Sequence, residues 1–109
     1  MAETLKVLGQ LAAAATTAET LYTVPGATSA MVSSIVVCNR GATATTFRVS
    51  VRVAGAGADN KQYLYYDVAL PANDTFVASL GIGLATTDVV TTYAGAAQVT
   101  FSLFGEEIA

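Results

Sequence analysis

Histidine is absent from this chain of 109 residues, and cysteine occurs once. Without histidine there is no Ser-His-Asp or Cys-His nucleophilic system, no imidazole general base and no common zinc ligand. The lone Cys38 excludes an intramolecular disulfide and cannot build a thiolate metal site. Long apolar runs are missing too: none reaches the ~18 residues that a membrane-crossing helix needs. The stretch Leu8–Thr16, LGQLAAAAT, superficially resembles a short signal-peptide core. Gln10 interrupts it, Glu3 precedes it and Lys6 is the only basic residue ahead of it, so it reads as mature protein. Phosphate-cradling glycine patterns need a strand-to-helix setting, and the isolated Gly81-Ile82-Gly83 reads as a bend. Charge is scarce: charged residues make up 12% of the chain, against about 25% in an average soluble domain. With five basic and eight acidic residues and a net charge of −3, no phosphate-neutralising basic patch is expected, and hence no nucleic-acid partner. Arg48 and Arg52 share a strand face, but two arginines read as solvated or paired with carboxylates.

What fills the chain is apolar and small. Hydrophobic residues make up 53%, and many positions that charge would ordinarily occupy are Thr, Ser, Ala and Gly. A small domain has much surface to cover, so this balance favours burial of part of it against identical neighbours. The length fits one domain, 1–109, with residues 1–18 available as an N-terminal arm.

The clearest pattern lies in Ala30–Val53. Thr45, Phe47, Val49, Val51 and Val53 alternate with Thr46, Arg48, Ser50 and Arg52, the period of a strand with one buried face. Ile35–Cys38 are apolar at consecutive positions, which predicts a strand buried on both faces with Cys38 in the core. Asn39-Arg40-Gly41 starts a turn in which Asn and Gly can take positive φ, so the segment reads as a long hairpin. Further strands are expected over Leu5–Leu11, Thr20–Val24, Gln62–Leu70, Thr75–Leu80, Val89–Tyr93 and Gln98–Phe104. Pro25-Gly26, Ala54–Asn60, Pro71–Asp74 and Ala94–Ala97 punctuate them, and Gly81 and Gly83 mark a bulge or bend. Seven or eight short strands with turn signals every 8–12 residues predict an all-β antiparallel β-sandwich, jelly-roll-like.

The carboxylates Asp59, Asp74 and Asp88 fall at turns, where Asp commonly accepts from its own backbone. None has the dense oxygen spacing of a calcium loop, so no metal and no cofactor is expected. Asn73-Asp74-Thr75 fits a glycosylation acceptor, yet reads as a turn. The recognition candidates are Tyr63, Tyr65, Tyr66 and Tyr93, which could line a protein- or carbohydrate-binding patch or simply pack a sandwich edge with wet hydroxyls. Tyr63 and Tyr65 are placed on one face of their strand with Asp67, and Tyr66 on the other. In the last strand Val99, Phe101 and Leu103 share a face, while Phe104 falls opposite and should cover a second apolar surface, a loop or a neighbouring subunit.

The runs TLYTVP, SSIVVCNRGATATTFRVSV, YLYYDVALPANDT and VTFSLFGEEI, spanning Thr20–Ile108, together resemble a family of small proteins encoded among the structural genes of tailed bacteriophages. The resemblance implies a virion-localised sandwich or jelly-roll subunit that self-assembles as a homotrimer on capsid or tail. Its motifs are strands and turns, so it carries over no site residues. The expectation is therefore a non-enzymatic virion component, such as a capsid decoration (cement) protein. A tail, baseplate or fibre-attachment component is the second expectation, and a carbohydrate-binding sandwich module the third.

Overall fold

Strict alternation in the last strand, where buried Val99, Phe101 and Leu103 are interleaved with half-buried Thr100, Ser102 and Phe104, sets the geometry of the whole molecule. One side of each strand faces a shared core, and the other faces outward. The computed structural model, which describes residues 2–109, arranges eight strands in this way. They are β1 (Glu3–Ala12), β2 (Glu19–Thr23), β3 (Ser29–Asn39), β4 (Thr45–Arg52), β5 (Tyr63–Leu70), β6 (Thr75–Leu84), β7 (Val89–Ala94) and β8 (Val99–Ile108). Two antiparallel sheets result, with strand orders β1-β8-β3-β6 and β2-β7-β4-β5. This is the order of an eight-stranded jelly roll, and the expected all-β sandwich is the fold observed. Only β4 and β5 are joined within one sheet; every other connection crosses between sheets.

That crossing corrects the reading of Ala30–Val53 as a hairpin. β3 lies in the first sheet and β4 in the second, so Ile35 and Val37 meet Phe47 and Val49 in one core rather than lying beside them. The buried Asn39 side chain braces the crossing link. Its amide donates to the carbonyls of Thr43, Leu70 and Pro71 at 2.9, 3.3 and 3.0 Å, and its Oδ1 accepts from the Gly41 N–H. The turn thus uses the asparagine's hydrogen bonds; neither Asn39 nor Gly41 takes positive φ. Val53 falls past the end of β4, in a 3-10 turn, and is largely exposed. Ile35–Cys38, expected to be buried on both faces, are buried only at Ile35 and Val37; Val36 and Cys38 are half-buried because their side of β3 faces out of the sandwich, with Thr75 and Thr100 flanking Cys38.

Phe47 is at the centre of the core, with its ring 5.1 Å from Phe76 and 6.2 Å from both Phe101 and Tyr65. Such tilted aromatic pairs add about 1 kcal/mol each beyond the area they bury. The Asp residues at turns act as capping groups. Asp88 accepts from the Ala54 and Ala85 N–H groups, Asp59 from Lys61, and Asp74 from Thr75. Gly81 sits at positive φ where β6 slips register against β3, which is the bulge its position predicts; β6 continues beyond it to Leu84. Of the 1–18 stretch offered as an arm, Glu3–Ala12 form edge strand β1, paired along its length with β8. The following residues cross to the second sheet, where Thr16 donates to the Ala94 carbonyl.

Candidate interaction surfaces

The register of the first sheet assembles an outward face row by row. Val7, Phe104, Ser34 and Ser79 lie across β1, β8, β3 and β6 in one row, and Leu5, Glu106, Met31 and Gly83 in the next. On the other side of the Phe104 row come Gln10, Ser102, Val36 and Val77. Leu5 is 82% exposed, Val77 64%, Val7 45% and Met31 41%, values at which apolar side chains remain in contact with water. The neighbours between them are mainly serine and threonine, and the charges on this side, Glu3 and Glu106, sit towards one end. Phe104, placed by its sequence position on a second apolar surface, is half-buried at the middle of this one.

The outer face of the second sheet is different in kind. Arg48 on β4 extends its guanidinium between the rings of Tyr66 and Tyr93, 4.3 and 4.4 Å from their centroids. Asp67 holds its edge, accepting from Nε at 2.6 Å and from Nη2 at 3.3 Å. The hydrogen bond that Arg48 donates to Asp67 pushes the guanidinium further towards its protonated form. Tyr63 packs edge-on to Tyr66, with centroids 4.8 Å apart. Beside this stack, Arg52 donates to Thr91 Oγ1 and to the carbonyls of Gly55 and Ala56, holding the loop after β4 against the sheet. Between the two arginines lies a cavity of about 210 Å³, with Ser50 and Thr91 among its lining residues, Tyr63 and Tyr93 contributing aromatic rings, and Glu19 reaching it from β2.

Three of the four tyrosine candidates therefore converge. Tyr65 does not: it points inward, packing on Phe47 and Phe76. Two register shifts in β5 opposite β4 cause this, setting Tyr63 against Ser50 and Tyr65 against Val49 and turning Tyr66 and Asp67 outward. Asp67 takes positive φ in that bulge. The chain matches no family model, no curated protein and no solved structure.

A separate polar cluster ties the sheets together at one end. Tyr22 of β2 donates its hydroxyl to Glu107 Oε2 at 2.6 Å, and Lys6 Nζ bonds Glu107 Oε1 at 3.1 Å. The Tyr22 hydrogen bond, then Lys6, holds the Glu107 carboxyl below the usual carboxylate range. Burial, reinforced by Glu107, pushes the Tyr22 phenol well above its ordinary value. Among the described residues there is no group of three or more acidic or cysteine side chains placed to hold a metal. The exposed apolar residues of the first sheet, Leu5, Val7, Met31 and Val77, are the part that sequence reasoning missed. For Met31 and Val77 the visible signal is an apolar residue on the outward parity of a strand with an apolar inner face; Leu5 and Val7 alternate with Thr4 and Lys6, so parity alone gives them no outward mark.

Proposed function

We propose that this chain is a non-enzymatic structural subunit of a virus particle, a capsid decoration (cement) protein that works by packing against identical copies and a shell surface. The observation that carries the reading is the weakly charged apolar face of β1-β8-β3-β6, with Leu5 and Val77 most exposed. Burying one such side chain fully contributes about 1.5–3 kcal/mol. Exposed apolar side chains gathered on one face of a chain with so few charges support an interface there. The resemblance of Thr20–Ile108 to small virion proteins of tailed phages supplies the setting. A tail, baseplate or fibre-attachment position belongs to the same reading, and locating the subunit in a particle reconstruction separates the positions.

The test is association. Purified protein should form oligomers in sedimentation velocity and co-sediment with tailed-phage capsids. Leu5→Asp and Met31→Asp, both at exposed positions, should lose at least about tenfold in capsid binding while keeping the wild-type circular dichroism spectrum. A chain that stays monomeric at high concentration and ignores particles would sink the proposal. A second reading, a carbohydrate-binding module, has a specific support in the cavity beside Tyr63 and Tyr93. Its signature is adsorption to a glycan that Tyr63→Ala and Tyr93→Ala abolish with particle association unchanged.

A further inference from the structure

The sandwich has four edge strands, and three of them carry a device that discourages pairing with another chain. β1 contains Glu3 and Lys6 and a bulge, β2 is five residues long and begins with Glu19, and β5 is bulged twice and contains Asp67. Natural edges are blunted by such charges, bulges and short lengths. β6 is the least protected: ten residues, TFVASLGIGL, without a charge or a proline, its one bulge confined to Gly81 and its register unbroken from Thr75 to Ser79. On its inner side Phe76, Ala78, Leu80 and Ile82 reach the core but stay only partly buried, as expected of an apolar row that ends at an open flank.

We propose that β6 pairs with β6 of a second copy of this chain, antiparallel and centred on Val77, joining two first sheets into one. This deepens the self-assembly reading above and rests on it, with two-fold pairing in place of the trimer that the resemblance implies. The backbone polarity is right. Asn39 N–H donates to the Asp74 carbonyl, which fixes the alternation of the β3–β6 ladder so that residues 76 and 78 face β3. The amide and carbonyl groups of Val77 and Ser79 then point away from the sheet. The side chains favour self-pairing over an unrelated strand. About a two-fold axis at Val77, Thr75 meets Ser79 of the other copy on the outer face. Val77 meets Val77, and on the inner face Phe76 meets Ala78. Hydroxyl opposite hydroxyl and large opposite small are complementary cross-strand pairs, and both copies make them at once. The pairing also continues the exposed apolar face from Val77 across the axis, doubling the area offered to a shell.

The wild-type protein should sediment as a dimer, or a multiple of dimers, of the 11.1 kDa chain. Val77→Pro removes an outward N–H while leaving the bonds to β3 intact, and should convert the dimer to monomer with an unchanged circular dichroism spectrum. Val77→Thr keeps the backbone and should remain dimeric, which separates strand pairing from apolar contact at that residue. Should Val77→Pro unfold, Ser79→Lys, which places a charge on the edge, decides in its place. A trimer, or an oligomer whose mass neither Val77→Pro nor Ser79→Lys alters, overturns the strand pairing and leaves assembly through the outer face standing. A wild-type monomer at every concentration overturns both.

Discussion

Tyr22, Asn39 and Asp88 show how single polar side chains organise a molecule with so little charge. Each is buried, and each has partners: Glu107 for Tyr22, four backbone groups for Asn39, and two backbone amides for Asp88. Leaving such partners unmet in the interior costs about 1–3 kcal/mol per group, so these residues hold connections that apolar burial alone would leave free to slide. The Tyr22–Glu107 pair makes a prediction with two signs. Glu107 is shifted down in the folded state, so its contribution is present above the unfolded carboxylate value of about 4.3 and is lost as pH falls through the lowered value. Tyr22 is shifted up, so its contribution is present below about 10 and is lost as pH rises beyond that. Tyr22→Phe should cost about 1–2 kcal/mol at neutral pH, with the loss shrinking in acid. Its stability should also fall less steeply than wild type on both the acid and the alkaline limb. Chemical denaturation at pH 3, 7 and 10.5 measures this; equal losses at all three would show that the pair does not titrate as described.

At the scale of the strand, alternation was legible and pairing was not. Phe47 and Val49, like Phe101 and Leu103, announce a strand and its buried face through period two, and both pairs are buried. Nothing in that period tells which sheet a strand joins, so β3 and β4 looked like neighbours when they face each other across the core. Bulges defeat parity from the other direction: alternation groups Tyr65 with Tyr63, and the register shifts of β5 put them on opposite sides. One bulge can be tested directly. Gly105 lies opposite Val32, where β8 and β3 slip register, and a Cβ there would overlap the Met31 carbonyl. Gly26, by contrast, has open space around it. Gly105→Ala should therefore destabilise by about 2 kcal/mol and lower the melting midpoint by about 10 °C, while Gly26→Ala should shift it little. Equal midpoints for the two variants would mean that β8 does not approach β3 as closely as described.

At the scale of the molecule, the jelly roll accounts for the composition. A two-layer sandwich 109 residues long has inward faces enough for one core, and the apolar residues left over have only outward positions to occupy. Leu5, Val7, Met31 and Val77 are the part of that surplus on the first sheet; Leu64 of β5 and Val53 after β4 are exposed at the second, where Arg48, Arg52 and the outward tyrosines gather. The two faces should answer differently to salt. Association through the apolar face removes hydrocarbon from water and neutralises almost no charge, so sodium chloride from 0.05 to 0.5 M, which shortens the screening length to a few ångströms, should leave oligomerisation nearly unchanged. Sulfate, which strengthens apolar burial, should increase it. The Arg48–Asp67 pair on the other sheet is solvent-facing and screened, and its loss in salt should not follow the oligomer signal. Sedimentation across both salt series reads the outcome. An oligomer that dissociates steeply in sodium chloride would place the contact on the arginine–tyrosine face and remove the apolar face as the seat of assembly.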